Sequence, residues 1–240
     1  MNKKVYRYLL FLVGLLFNAF GVAFITKADL GTTPIAALPY TLSLMIPKLT
    51  LGNFTILISM VLIASQVLIL RNKAALFDII LQIPISFIFG YVIDFSMWIL
   101  TNFDPQKYIM KFISLLIGSI IIAFGAYFEI VADVTMLPAD GFSRALTIVT
   151  NIEFGTIKLI TDSSQAMIAL ILEIIFLHEL DAVREWTIIG AILIGNMVKY
   201  IGRIWKLEKL FTEKEFSLKD KQAYEEIKST TQQDELWDFS

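Results

Sequence analysis

The sequence predicts an all-α polytopic membrane protein of about six transmembrane helices, arranged as two inverted three-helix repeats. Each repeat is expected to carry a short broken or re-entrant helix that begins at a proline. Three observations predict this fold: an apolar composition, six long apolar runs and an internal repeat. Of the 240 residues, 57% are hydrophobic and 18% are charged, and the mean hydropathy is +0.71. Soluble domains carry about 25% charged residues, so the composition indicates a membrane protein.

Six apolar runs are long enough to cross a membrane, for which a helix needs about 20 residues. They occupy residues 9–26, 51–70, 79–100, 112–131, 156–177 and 186–205. A backbone amide or carbonyl inside hydrocarbon must find its partner within its own segment. Each run is therefore predicted to be a helix.

Basic residues predict the orientation of these spans. They precede the first run, separate the second from the third and follow the sixth: Lys3, Lys4, Arg7, Arg71, Lys73, Arg203, Lys206 and Lys209. Cytoplasmic segments are enriched in Lys and Arg, so both termini are predicted to be cytoplasmic. The bias is moderate, because five basic residues fall on the predicted outer side: Lys27, Lys48, Lys107, Lys111 and Arg184.

An internal repeat appears when residues are compared at an offset of 104 positions. The matched residues are Gly14, Phe20, Gly21, Ala28, Asp29 and Pro34 in the first copy and Gly118, Phe124, Gly125, Ala132, Asp133 and Pro138 in the second. Three spans per copy is an odd number, so the second copy must lie upside down, as in many secondary transporters. The predicted units are residues 1–104, residues 105–205 and a charged cytoplasmic tail, residues 206–240.

The segments after the first and fourth spans are too apolar for ordinary loops. A proline in each, Pro34 or Pro138, is suited to the first turn of a helix. Thr32 or Thr33 is expected to cap the first short helix, and Thr135 is a weaker candidate for the second. These helices are predicted to be re-entrant, with amphipathic helices on the membrane surface as the alternative.

The fifth span carries the clearest candidate site. Lys158, Asp162, Gln165 and Glu173 fall on one helical face. A charge inside a span costs about 3 kcal/mol on insertion scales, so this face is predicted to point away from lipid. Lys158 and Asp162 are four residues apart and are expected to form an ion pair.

Four further charged residues lie near the same predicted inner end: Glu129, Asp133, Asp140 and Arg144. Together with Asp162, Lys158 and Gln165 they form the candidate substrate- or ion-binding set. The competing interpretation places Asp133, Asp140 and Arg144 in the cytoplasmic headgroup region. The first copy has Thr55 and Ser59 where the second has Lys158 and Asp162.

Several kinds of chemistry have no signature in this chain. It contains no cysteine and one histidine, and it lacks a Walker loop, a dinucleotide fingerprint and a nucleophile elbow. We therefore expect no catalytic residue, cofactor or metal site, no nucleic-acid partner, and neither an enzyme nor an ATP-driven pump. The expected partners are the lipid bilayer and an unidentified small solute or ion, and homo-oligomerisation is left open.

Two motifs carry a family resemblance: ADLGTTP at residues 28–34 and LPADGF at residues 137–142. With them the chain resembles the YczE/YyaS/YitT family of bacterial integral membrane proteins over roughly its first 205 residues. The YczE-like branch is closer, because the short charged tail is unlike the soluble C-terminal domain of the YitT branch. The resemblance implies a multi-span bacterial membrane protein and brings no substrate. The second copy departs from the motif at Val134-Thr135-Met136.

The leading functional prediction is a secondary transporter that alternates access to a polar cavity between its two halves. A channel-like pore and a non-transporting accessory or assembly protein are the alternatives. Neutralising Asp162 distinguishes them, since lost flux with intact folding indicates transport.

Overall fold

The computed structural model describes residues 3–70, 76–179 and 181–205. The predicted charged tail, residues 206–240, lies outside these ranges. Within them the chain is helical, with no strand. The helices are α1 Lys3–Lys27, α2 Pro34–Met45, α3 Leu51–Leu70, α4 Leu76–Ile99, α5 Tyr108–Ala132, α6 Pro138–Thr150, α7 Phe154–Leu172 and α8 Glu185–Trp205. A 3-10 turn, Leu100–Asn102, extends α4, and a π-helical turn, Glu173–Leu177, extends α7.

Five helical segments in the described part of the chain are long and apolar enough to cross a membrane. They are Val5–Lys27, Leu51–Leu70, Ile79–Asn102, Tyr108–Ala132 and Phe154–Leu177, and each coincides with a predicted run. Helix α8, with 21 residues, coincides with the sixth run, and its crossing of the membrane stays a prediction. Large apolar side chains such as Leu68, Trp98 and Ile109 are mostly exposed on these spans. The fold is therefore that of a multi-pass membrane protein.

Helices α1 and α5 pack closely and run antiparallel. A Cβ atom added to Gly14 would lie 2.8 Å from the carbonyl oxygen of Gly125, and one added to Gly21 would lie 3.1 Å from that of Gly118. Glycine lets helix backbones approach this closely inside a membrane. Gly14 corresponds to Gly118 in the repeat and Gly21 to Gly125, so the two contacts are exchanged by the repeat.

Ion pairs join the two ends of the same helix pair. The Arg7 guanidinium contacts the Asp133 carboxylate at 2.8 Å and donates to the carbonyl oxygen of Ala132 at 2.7 Å. At the other end Lys111 pairs with Asp29. Arg7 and Lys111 are 104 positions apart, as are Asp29 and Asp133. The two ion pairs are therefore also reciprocal.

The turns that follow α1 and α5 repeat the same geometry. Asp29 (φ 55°) and Asp133 (φ 45°) both adopt the left-handed conformation, which aspartate tolerates better than most residues. The alanine before each aspartate is completely buried. Helices α2 and α6 then begin at Pro34 and Pro138, as the sequence predicts.

The predicted threonine caps are wrong. Thr33 occupies the N-cap position of α2 but makes no side-chain capping hydrogen bond, and Leu137, not Thr135, occupies that of α6. The Thr32 hydroxyl instead bonds the Thr26 hydroxyl at 2.8 Å. A proline at the first helical position removes one of the amides that a cap would satisfy, which reduces the need for one.

Most packing partners in one half have counterparts in the other. Helix α1 packs against α4 as α5 packs against α8, α2 packs against α7 as α6 packs against α3, and α2 contacts α3 as α6 contacts α7. One glycine position departs from this correspondence. Gly52 on α3 packs against Gly90 and Asp94 on α4, whereas an added Cβ on its counterpart Gly155 on α7 has no atom of the described residues within 4 Å.

Candidate functional site

Two glutamines hold the start of α6 against the ends of α3 and α4. The Gln66 side-chain amide donates to Gln82 Oε1 at 3.0 Å and to the Pro138 carbonyl oxygen at 3.1 Å, and Gln82 donates back to Gln66 at 3.2 Å. Both glutamines are buried. A Cβ added to Gly141 would lie 2.7 Å from each of them, so the first turn of α6 is closely packed.

Helix α6 also packs against α7. The hydroxyls of Ser143 and Thr161 are hydrogen-bonded at 2.7 Å, and both residues are buried. Ala145, further along α6, belongs to a buried cluster with Ile63 and Ile79 on α3 and α4. Helix α6 is thus packed among the spans at one end of the bundle, and its re-entry into the membrane stays a prediction.

The candidate site is an ion-paired group of three side chains where α6 meets α7. Lys158 Nζ contacts an Asp140 carboxylate oxygen and lies 3.1 Å from Asp162 Oδ2. The predicted pair between Lys158 and Asp162 is therefore present. Asp140 joins it from α6, so Asp140, Lys158 and Asp162 form a triad. The exposed fractions of the Lys158, Asp140 and Asp162 side chains are 31%, 30% and 19%.

The triad has an excess of negative charge when its members are ionised, because one ammonium faces two carboxylates. Gln165, one turn further along α7, is 8% exposed. Its Oε1 atom and Asp162 Oδ1 are buried, and neither has a hydrogen-bond partner in the described part of the chain. The site therefore presents acceptor oxygens without donors.

The remaining predicted site residues have different surroundings. Glu129 on α5 accepts a long hydrogen bond, 3.4 Å, from Asn18 Nδ2 and lies within electrostatic range of Asp140. Asp133 ends α5 and is paired with Arg7, so its carboxylate is committed to the contact between α1 and α5. Arg144 is half-buried on α6, one turn after Asp140.

Glu173 lies on the same polar helical face as Lys158 and Asp162 in the sequence, but its carboxylate makes different contacts. Its carboxylate accepts backbone N–H groups from Asp181, Ala182 and Val183 at 3.3, 2.6 and 3.2 Å, and the residue is completely buried. A carboxylate with three amide donors is well compensated for its burial. Glu173 therefore anchors the connection to α8 at the other end of α7.

The sequence reasoning missed Gln66 and the reciprocal role of Arg7 and Lys111. A glutamine inside an apolar span was the available signal for the first, since buried polar groups in spans are usually hydrogen-bonded. For Arg7 and Lys111, the available signal was their separation by 104 positions, which is the offset of the repeat. Among the described residues, no group of three or more His, Asp or Glu side chains could hold a metal ion.

A surface cavity of about 550 Å³ lies elsewhere, at the connection between α4 and α5. It is lined by residues such as Phe103, Pro105, Lys107 and Met110. Lys107 adjoins the start of α5, whereas the triad lies beyond the end of that 25-residue helix. The cavity is therefore separate from the triad.

Comparisons with known proteins identify the family. The sequence model described as "Family of unknown function (DUF6198)" matches residues 5–203. The chain is 28% identical over 135 residues to "Uncharacterized protein YyaS" of Bacillus subtilis (strain 168), an alignment that covers 56% of this chain and 65% of YyaS. No solved structure matches significantly.

The match to YyaS supports the YyaS part of the resemblance seen in the sequence, whereas the YczE-like and YitT assignment stays a prediction. A bacterial relative and several apolar helices together indicate a multi-pass protein of a cell membrane. The family match covers most of the membrane body. The chain belongs to the DUF6198 family.

Proposed function

We propose that this protein is a secondary transporter of a small solute or ion, with its binding site at the triad of Asp140, Lys158 and Asp162. The observation that carries the proposal is the placement of these three charged groups between two helices of an apolar bundle. Ionisable residues inside membrane helices are costly and usually mark substrate or ion pathways. A site that includes a spanning helix and a short helix is also common in transporters with inverted repeats.

The packing of α1 against α5 supports an inverted relation between the two halves. A two-fold axis in the membrane plane would place equivalent helices antiparallel and make their contacts reciprocal. Reciprocal contacts occur at Gly14 with Gly125, at Gly21 with Gly118, and in both terminal ion pairs. We propose that the halves rock about this helix pair, which exposes the site to one side of the membrane at a time.

The charged site belongs to one half. At the positions of Asp140, Lys158 and Asp162, the first half has Ala36, Thr55 and Ser59. Rocking would therefore expose the same charged site first to one side of the membrane and then to the other. In the proposed topology the triad lies towards the cytoplasmic side, and the partial exposure of Lys158 and Asp140 suits a site open to that side.

Flux in proteoliposomes tests the proposal. Purified protein would be assayed by solid-supported membrane electrophysiology with pH and Na⁺ gradients and a library of charged and neutral solutes. A saturable current in wild-type protein that is lost in Asp162→Asn, with the variant still folded, is the expected result. Ser163→Ala, an exposed change beside Asp162, is the matched control. If Asp162→Asn simply fails to fold, the triad is structural and the transport proposal loses its site.

Alternating access can be measured separately, because the chain has no native cysteine. A single cysteine at Ala139, buried beside Asp140, would be labelled from each side of the membrane with an impermeant thiol reagent. We expect labelling from both sides in proportions that shift with the driving gradient. Free labelling from one side under every gradient would indicate a fixed surface helix instead.

A further inference from the structure

Two buried oxygen atoms on α7 lack hydrogen-bond donors. Asp162 Oδ1 and Gln165 Oε1 are both inaccessible to solvent and have no partner among the described residues. A buried acceptor that is left without a donor in the interior is destabilising. Asp162 and Gln165 are three residues apart on one helix, a spacing that places side chains side by side. One species that binds acceptors could therefore satisfy both atoms.

The formal charges of the triad favour a cation as that species. Lys158 already contacts Asp140 and the other oxygen of Asp162, so its ammonium serves both carboxylates. The triad then retains one negative charge. Two acceptor oxygens beside a net negative charge attract a cation and repel an anion.

We propose that Asp162 Oδ1 and Gln165 Oε1 form a binding site for one small monovalent cation, Na⁺ or a proton. Either species fits the same chemistry: Na⁺ is coordinated by carboxylate and amide oxygens, and a proton on Asp162 is donated to the amide oxygen. The inference rests on the proposed function and makes this cation the coupling ion or the transported species. The first half offers Ser59 and Leu62 at the equivalent positions, so one cation binds per chain.

The titratable groups on α7 and on the helices packed against it must be separated from Asp162 in any pH experiment. Helix α7 supplies Lys158, and α6 supplies Asp140 and Arg144. Helix α2, which also packs against α7, carries Tyr40 as its one titratable residue. Each measurement is therefore expressed as the difference between wild-type protein and a variant that retains all four.

The experiment is thermal unfolding of the purified full chain in detergent, without any transport step. One arm titrates NaCl against choline chloride at pH 8 and again at pH 6, and the other varies the pH from 9 to 5 without Na⁺. A ligand that binds the folded state alone raises the melting temperature in proportion to the logarithm of its concentration above Kd. Asp162→Asn and Gln165→Leu are the test variants, and Ser163→Ala is the control.

A Na⁺-dependent rise that weakens as the pH falls would establish a Na⁺ site in competition with protons. A rise on acidification alone, without response to Na⁺, would establish a proton site. In both cases the response must vanish in Asp162→Asn, weaken in Gln165→Leu and persist in Ser163→Ala. Equal responses in wild type and Asp162→Asn, or no response in either arm, would overturn the inference. If flux is measured without cation binding, the proposed function is retained and this inference is rejected. If a cation binds without flux, the cation site is retained and the proposed function is rejected.

Discussion

Gly52 and Gly155 occupy the same repeat position but have opposite surroundings, and replacing each by alanine tests the packing directly. A Cβ on Gly52 would lie 2.1 Å from the Gly90 carbonyl oxygen and 2.5 Å from Asp94 Cγ, about 1.3 and 0.9 Å short of the 3.4 Å at which ordinary contact begins. The same atom on Gly155 meets nothing within 4 Å in the part of the chain that the structure describes. The substitution should therefore destabilise one half and be harmless in the other.

The destabilisation expected for Gly52→Ala has two parts. Helices α3 and α4 must separate, and overpacking of this kind costs about 1–3 kcal/mol. The movement also strains two hydrogen bonds to Asp94, from the Gly52 N–H at 2.8 Å and the Thr50 hydroxyl at 2.6 Å. A hydrogen bond to a charged group contributes about 1.5–3 kcal/mol. Partial loss of one bond brings the total for Gly52→Ala to about 3 kcal/mol, a roughly hundredfold change in the unfolding equilibrium.

Gly155→Ala should instead stabilise α7 by about 0.5–1 kcal/mol, because alanine loses less conformational entropy than glycine in a helix. Both variants would be unfolded by SDS titration in detergent micelles and followed by far-UV circular dichroism. The expected order of free energies of unfolding is Gly155→Ala, wild type, Gly52→Ala. Equal destabilisation by the two alanines, or none by Gly52→Ala, would refute the packing described for α3 and α4.

Three other predictions use the same titration or hydrogen exchange. Arg7→Lys should lower the free energy of unfolding by about 1–2 kcal/mol, because lysine cannot reach both the Asp133 carboxylate and the Ala132 carbonyl oxygen as the guanidinium does. Lys111→Arg should be tolerated, and equal effects of the two changes would contradict this role of Arg7. Gln66→Leu should lower the free energy of unfolding by about 1–3 kcal/mol, because it removes the amide that pairs with Gln82. Adding Gln82→Leu should recover part of this loss. Simple additivity of the two changes would argue against the amide pair. Glu173→Gln should speed hydrogen exchange of the amides at 181–183, and unchanged exchange would show that its carboxylate does not hold them.

The sequence predicts the five recognised spans well because each depends on many residues, whereas the inverted repeat stays a prediction. The five recognised spans are 20 to 25 residues long. The turn that joins Ala28, Asp29 and Pro34 recurs 104 positions later, with both aspartates in the left-handed conformation. Contacts between distant residues were less predictable. Nothing in the local pattern indicates that Gln66 bonds the Pro138 carbonyl, since that contact depends on where α6 enters the bundle.

The candidate site was predictable in composition but not in arrangement. Spacing along α7 gave the pair of Lys158 and Asp162, because helical periodicity fixes that contact locally. Asp133 and Asp140 were grouped by position in the chain, yet the left-handed turn at Asp133 directs its carboxylate to Arg7 while Asp140 reaches Lys158. Asp133 therefore contributes to the packing of α1 against α5, and Asp140 contributes to the triad.

The two halves keep the same residues where the fold requires them and differ where the site lies. Glycines at the crossing of α1 and α5, the left-handed aspartates and the helix-starting prolines are present in both copies. The triad and Gln165 have uncharged counterparts in the first half: Ala36, Thr55, Ser59 and Leu62. Because an interior charge must be compensated, a single charged site is less costly than two. We therefore expect that introducing Asp140, Lys158 and Asp162 equivalents into the first half would lower stability without adding a second cation per chain.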